Sequence, residues 1–188
     1  MAAEFAAFDG AVLAGGASTR MGQDKALIEI DGIPMVTIAV NALREAGAAD
    51  VCVVGGDQAA IEALGHRWVP DRHPGDGPLG GIITALSTAT ADIVAVLACD
   101  HIAAAAPAVR IIVGAVGEGD VAVPVIEGRR QTLHAAWRRS ALPRLEAVFA
   151  DGGRSVRDGL AVLDVVQILD GDPCWFADAD SPEDLPPS

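Results

Sequence analysis

A glycine-rich segment with two cations follows the first apolar run of the chain, since residues 13–26 read LAGGASTRMGQDKA. Glycines directly after a strand leave backbone N–H groups open to an anion, and no Cβ obstructs a phosphate. Arg20 and Lys25 add two positive charges that would offset the charge of a triphosphate. This spacing favours phosphate chemistry over a glycine turn with solvated basic side chains. No Gly-Lys-Ser/Thr follows, which excludes the phosphate loop of kinases and GTPases.

A carboxylate stands at the end of the most continuous apolar run, because Asp100 follows residues 93–99, which read IVAVLAC. An acid at the end of a buried strand is costly unless it meets a cation, a partner or water. Mg²⁺ binds through one or two carboxylates together with substrate phosphates and water, so Asp100 is enough to begin a magnesium site. The alternative is that Asp100 caps the helix predicted over residues 104–116.

A second pair of acids lies near the end of the chain, where residues 176–185 read FADADSPEDL. Alternate residues of an extended segment face the same side, so Asp178 and Asp180 can both point at one site. We expect Asp180 to be the second magnesium ligand. The alternative is an ordinary helix N-cap before Ser181-Pro182.

Residues 75–80 read GDGPLG and satisfy the G-x-G-x-x-G pattern of dinucleotide-binding proteins. That fingerprint requires a strand that runs directly into the first glycine. Here residues 71–74 intervene, and Pro78 lies inside the pattern. We therefore predict a loop over residues 70–81, leading into a helix over residues 80–90 and offering N–H groups to an anion or a base edge.

Strands and helices must alternate along the chain to hold these residues. Apolar runs predict strands at residues 11–13, 51–54, 68–69, 93–98, 121–125, 131–137 and 164–169. Helical patterns lie between them at residues 34–46, 58–64, 80–90, 104–116 and 138–150. The alternation favours an α/β fold, a Rossmann-like three-layer α/β/α sandwich with a mostly parallel sheet. Ligands of such sheets bind beyond the carboxyl ends of the strands, where the candidate residues fall. Residues 1–188 fit one domain, and residues 181–188 are expected to fray.

Composition excludes several classes of function. The chain has 188 residues and a net charge of −13, which argues against non-specific binding to nucleic acid or an anionic membrane. Apolar segments stay shorter than the roughly 18 residues of a membrane span, and no basic signal-peptide region begins the sequence. The cysteines at positions 52, 99 and 174 lack metal-ligand or redox spacing, so a reducing cytoplasm is expected.

Residues 13–26 resemble the signature of the molybdenum cofactor guanylyltransferases, which belong to the larger sugar-nucleotide pyrophosphorylase-like nucleotidyltransferases. Weaker matches follow in order at residues 71–81, 98–100 and 178–185. The resemblance implies Mg²⁺-dependent transfer of GMP from GTP to the phosphate of molybdopterin, with release of pyrophosphate. It also implies transient contact with enzymes of cofactor biosynthesis or acceptor enzymes. It assigns nucleotide or phosphate contacts to Leu13, Ala14, Gly15, Gly16, Arg20, Lys25 and Asp71, and both metal and nucleotide contacts to Asp100.

Two positions depart from the family pattern. Relatives carry a proline two residues beyond the acid, whereas here His101, expected to be an exposed loop histidine, and an alanine run come before Pro107. Both acids at positions 178 and 180 replace asparagines, as in the related cytidylyltransferases. A cytidylyltransferase, or another transferase of nucleotides to a related cofactor or phosphorylated small molecule, is therefore the alternative. A further alternative is a nucleotide-binding or chaperone-like protein that has lost turnover. The joint presence of Lys25 and Asp100 disfavours this alternative. Residues 131–139 are similar to acceptor-side residues of relatives and receive no role.

Overall fold

The structure is a computed structural model that describes residues 6–15, 24–169 and 175. Gly16, Arg20, Asp178 and Asp180 therefore lie outside the described residues. The strands are β1 (Phe8–Leu13), β2 (Glu29–Ile30), β3 (Ile33–Pro34), β4 (Val51–Val54), β5 (Arg67–Val69), β6 (Ile93–Ala98), β7 (Val121–Ile126), β8 (Arg129–Arg130), β9 (His134–Arg138) and β10 (Val165–Ile168). The α-helices are α1 (Met35–Ala46), α2 (Gln58–Ala63), α3 (Pro78–Thr88), α4 (Ala106–Ala115), α5 (Leu142–Ala150) and α6 (Val156–Leu160).

The main sheet has the strand order β10-β7-β9-β6-β1-β4-β5, with β8 paired to β7. Strands β6, β1, β4 and β5 pair in parallel, and so do β7 and β10. Strand β9 is antiparallel to both of its neighbours. The prediction of a mostly parallel sheet is confirmed. Leu13 is in register with Val54 and with Ala98, so the carboxyl ends of three central strands meet at one edge.

Alternating side chains of the central strands enter two hydrophobic cores, one on each face of the sheet. On β6, Ile93, Ala95 and Leu97 join the core that includes α1 and α4, whereas Val94 and Val96 join the core that includes α3, α5 and α6. Each fully buried valine, leucine or isoleucine side chain stabilises the fold by about 1.5–3 kcal/mol. Helices therefore cover both faces, and the predicted three-layer α/β/α sandwich is confirmed.

The starts of several elements differ from those predicted. Helix α3 begins at Pro78, not at residue 80, because the fixed φ and missing N–H of proline suit the first position of a helix. Helix α5 begins at Leu142, after a 3₁₀ turn at Arg139–Ala141, because β9 extends to Arg138. The short α6 was not predicted, since five residues are too few to show a helical period. Within the described part of the chain, no helix is both long and apolar enough to cross a membrane.

Candidate active site

A cleft of about 260 Å³ opens at the carboxyl edge of the sheet. The ends of its strands are tied together by the backbone: Ala14 N donates to the Val54 carbonyl at 2.9 Å, and Cys99 N donates to the Leu13 carbonyl at 3.1 Å. The described residues that line the cleft come from β1, β4 and β6, the segments after β1, β5 and β6, the start of α3, and the loop before β9. They are Leu13, Ala14, Gly15, Asp24, Lys25, Val54, Asp71, Gly77, Pro78, Gly81, Ala98, Cys99, Asp100 and Leu133.

Lys25 and Asp100 form an ion pair within this cleft, with Nζ donating to Oδ2 at 2.7 Å. The lysine side chain is 14% exposed and the aspartate side chain 23%. Helix α4 has Ala105 as its N-cap and no side-chain cap, so the alternative interpretation of Asp100 as a helix cap is wrong. The structure thus brings together the cation and the acid that the sequence singled out for phosphate and metal chemistry.

Asp24 also lines the cleft, although sequence reasoning gave it no role. Its Oδ1 accepts a hydrogen bond from Ala26 N at 3.0 Å and caps the 3₁₀ turn Lys25–Leu27. Ala26 is buried in the core that includes α1. A cap on one side and burial on the other therefore fix the backbone of Lys25. The residue type could have indicated this capping role in the sequence, since aspartate is a favoured N-cap residue.

Asp71, in the loop that follows β5, places its carboxylate beside Gly15. Its Oδ2 lies 3.4 Å from the position that a Cβ on Gly15 would occupy. Its Oδ1 accepts hydrogen bonds from His73 N at 3.0 Å and from Thr84 Oγ1 at 3.1 Å. Thr84 is fully buried in α3, so this hydroxyl anchors the carboxylate to the helix. One carboxylate oxygen thus stabilises the turn, while Asp71 also lines the cleft.

The backbone of Gly15 passes closely against that of Gly55. A Cβ on Gly55 would stand 3.1 Å from the Cα of Gly15, and Gly55 has a φ of +75°. Both features favour glycine at position 55. Trp68 Nε1 donates to the Gly55 carbonyl at 2.9 Å and holds the loop in place. The wall of the cleft between β1 and β4 is therefore formed by closely packed backbone.

Helix α3 presents its N-terminus to the cleft, because its N-cap Gly77, Pro78 and Gly81 all line it. The dipole of a first helical turn favours an anionic ligand there, and any free N–H groups must come from residues after Leu79, because Pro78 has no N–H and Leu79 N donates to the Arg154 carbonyl. The predicted loop before α3 is confirmed. Strand β5 ends at Val69 and does not run into Gly75, which excludes the dinucleotide fingerprint.

His101 is buried, so the expectation of an exposed loop histidine is wrong. Only 6% of it is exposed, because its ring stacks on that of His134 with centroids 5.3 Å apart and planes 20° apart. His134, the first residue of β9, is fully buried. Burial, with a smaller Coulombic effect of His101, lowers the pKa of His134 to about 3. His134 is therefore neutral at pH 7.

The donors in the cleft fit a magnesium ion that is completed by a substrate. The described residues contain no group of three His, Cys, Asp or Glu side chains placed to hold a metal. Mg²⁺ needs only one or two protein carboxylates beside phosphate oxygens and water. The Asp100 carboxylate, partly exposed in the cleft, meets that requirement. Asp180, the second predicted ligand, is outside the described residues.

The three-layer α/β fold of this chain is one that nucleotidyltransferases adopt. The sequence profile of the MobA-like NTP transferase domain matches residues 10–165. The chain belongs to this family.

Individual relatives cover most of the chain. A protein of Opitutus terrae that bears the name "Probable molybdenum cofactor guanylyltransferase" is 36% identical over 166 residues, which is 87% of this chain and 82% of that protein. A protein of the same name from Natronomonas pharaonis is 33% identical and covers 94% of each chain. The crystal structure of molybdopterin-guanine dinucleotide biosynthesis protein A from Archaeoglobus fulgidus superposes with a TM-score of 0.74, at 25% identity over 94% of each chain.

Proposed function

We propose that this protein transfers GMP from GTP to the terminal phosphate of molybdopterin and releases pyrophosphate. The family and the names of the relatives support this reaction. The observation that carries the proposal is the pair of Lys25 and Asp100, 2.7 Å apart in a cleft that Gly15 and Asp71 also line. A cation and a carboxylate so placed provide one group for phosphate oxygens and one for a metal ion.

The residues of the cleft divide into two roles. The backbone of Leu13, Ala14 and Gly15, together with the Asp71 carboxylate, would hold the nucleoside and orient the α-phosphate. Lys25 would exchange part of its contact with Asp100 for a contact with the phosphates. Its charge, 14% exposed, acts where water screens little, and such donors stabilise charge as it develops on transferred phosphoryl groups. Gly16 and Arg20, both outside the described residues, are proposed to take part in the same phosphate contacts.

The chemical step is a displacement at the α-phosphorus. An oxygen of the acceptor phosphate forms a bond to the α-phosphorus of GTP. The bond from the α-phosphorus to its bridging oxygen breaks, and pyrophosphate leaves with that electron pair. The acceptor phosphate is already ionised at neutral pH, so no side chain has to remove a proton. Positioning and electrostatic stabilisation by the chain's own residues then account for catalysis.

The proposal includes Mg²⁺, which when bound would neutralise charge on phosphate oxygens. Asp100 would be its main ligand, because buried β6 fixes the backbone immediately before it. Asp180 would be the second ligand.

We also propose a cytoplasmic location with transient contacts to enzymes of cofactor biosynthesis or acceptor enzymes. Cys52 and Cys99 are free and buried, and burial raises the pKa of these thiols to about 11 and about 12, so both are inert.

Release of pyrophosphate from each nucleoside triphosphate, with and without molybdopterin and with Mg²⁺ present or chelated, tests the proposal. GTP, molybdopterin and Mg²⁺ together are expected to give sustained release, and omission of any one is expected to abolish it. Faster release from CTP would make the protein a cytidylyltransferase, the alternative that the acids at positions 178 and 180 suggest. Nucleotide binding without release under any combination would show a binding protein without turnover.

A further inference from the structure

The turn that joins α5 to α6 is held together by the side chain of Arg154. The Arg154 guanidinium lies over the ring of Phe149, with Cζ 4.0 Å from the ring centroid. Its Nη1 donates to the Phe149 carbonyl at 2.6 Å and to the Gly153 carbonyl at 2.9 Å. One side chain therefore ties the end of α5 to the residues that precede α6.

This turn contacts the loop that carries Asp71, which spans residues 71–77, and the helix that follows it. The Phe149 ring packs against the His73 imidazole, with centroids 4.3 Å apart. The Arg154 carbonyl accepts a hydrogen bond at 3.3 Å from Leu79 N, in the first turn of α3. A Cβ on Gly77 would stand 2.7 Å from that carbonyl oxygen, so the two segments are in close contact.

The contacts extend from the turn to the cleft. His73 meets Phe149 through its ring, and its backbone N donates to Asp71 Oδ1 at 3.0 Å. A displacement of Phe149 would therefore shift His73 and, through the hydrogen bond from His73 N, the carboxylate of Asp71. The other oxygen of this carboxylate lies beside Gly15. The start of α3, which also lines the cleft, depends on the carbonyl of Arg154.

We propose that Arg154 is a positioning residue that sets the 71–77 loop, and through it Asp71, for nucleotide binding. This inference rests on the proposed function in taking the cleft as the nucleotide site. Arg154 acts through the Phe149 ring and the backbone carbonyls. Its ion pair with Asp76, at 3.8 Å with side chains 44% and 54% exposed, contributes little because solvent screens it.

Binding and kinetics of matched variants provide the first test. Arg154→Ala is expected to raise the Kd and KM for GTP about five- to tenfold, because only part of the free energy of the lost cation–π contact and two carbonyl hydrogen bonds is transmitted through the loop to Asp71. The kcat is expected to stay within about twofold, since the Lys25–Asp100 pair is unchanged. Arg154→Lys keeps a cation above the ring and should recover part of the affinity. Arg157→Ala removes an exposed arginine of α6 that makes none of these contacts and is the control.

Hydrogen–deuterium exchange without nucleotide provides the second test and does not depend on the proposed activity. Exchange at residues 72–79 is expected to accelerate in Arg154→Ala and in Phe149→Leu, and to change less in Asp76→Asn and Arg157→Ala. If the wild-type protein binds no nucleotide, the proposed function fails, while faster exchange would still support the role in setting the loop. Unchanged exchange would overturn the inference, as would a kcat that falls with KM unaltered.

Discussion

Lys25 Nζ and Asp100 Oδ2 are 2.7 Å apart although the two residues are 75 positions apart in the sequence. The register of the sheet brings them together, since β1 pairs in parallel with β6 and Leu13 lies opposite Ala98. Asp100 lies two positions after the end of β6, and Lys25 lies twelve positions after the end of β1. The pair holds two opposite charges in one cleft, and under the proposed function each would exchange the other for a substrate phosphate or a metal ion.

Loss of the lysine charge should reduce turnover without unfolding the protein. We expect Lys25→Ala to lower kcat by about 10²-fold or more, the scale of removing one charge-stabilising donor. Lys25 is the only lysine of the chain, so no neighbouring lysine can replace it. Steady-state kinetics with circular dichroism as the folding control measure the effect. Wild-type turnover in a folded Lys25→Ala variant would show that Lys25 takes no part in catalysis.

The two predicted metal ligands should differ in importance. Asp100→Asn nearly preserves shape but removes charge, and we expect it to abolish Mg²⁺-dependent turnover. Asp180→Asn restores the residue type of the guanylyltransferases and should keep activity within about tenfold, or roughly 1.4 kcal/mol of transition-state energy. Turnover measured over a range of Mg²⁺ concentrations compares the two. An inactive Asp180→Asn beside a normal Asp100→Asn would reverse the assignment.

The hydroxyl that anchors Asp71 should affect nucleotide affinity. Thr84→Val keeps the shape of the buried side chain but removes the hydroxyl, which is shared as donor between Asp71 Oδ1 and the Gly80 carbonyl and accepts from Arg72 N. We expect the Kd for GTP to rise about fivefold, corresponding to roughly 1 kcal/mol for one hydrogen bond. Thr84→Ser retains the hydroxyl and should bind GTP more nearly as the wild type does. Calorimetric titration measures both, and equal affinities of the two variants would contradict this role.

Stability should fall in acid partly because of His134. Its pKa is lowered to about 3 in the folded protein from an ordinary value of 6.5. Between these values the unfolded chain binds a proton that the folded chain does not, so stability present above pH 6.5 is lost as the pH falls towards 3. The loss is at most roughly 1.4 kcal/mol per pH unit.

His134→Leu removes this titration, so the free energy of unfolding of the variant should fall less steeply than that of the wild type over the same range. Urea unfolding at several pH values compares the two slopes. Equal slopes would mean that His134 is not buried in its neutral form.

The sequence predicted the strands that hold the site because β4 and β6 are continuous apolar runs of strand length. The glycine-rich motif indicated Lys25, the end of an apolar run indicated Asp100, and the resemblance to a known family indicated Asp71. The sequence could not predict contacts that depend on packing. The burial of His101 requires the ring of His134, more than thirty residues away.

The contact of Arg154 with the Phe149 ring could not be predicted from the sequence either. It joins the end of α5 to the start of α6, a helix too short to show a helical period. The hydrogen bond that Thr84 donates to Asp71 likewise depends on how α3 packs under the loop. In each case the residue types are ordinary, and only the tertiary arrangement gives them a role.

The fate of the α-phosphate of GTP tests the central claim most directly. Incubation with molybdopterin and Mg²⁺ should transfer label from GTP radiolabelled on its α-phosphate into a molybdopterin–guanosine product. Label on the γ-phosphate should instead leave as pyrophosphate, and the Asp100→Asn variant should produce neither. Transfer of the γ-label to molybdopterin, or no transfer of the α-label by a folded protein that binds both substrates, would contradict nucleotidyl transfer at this site.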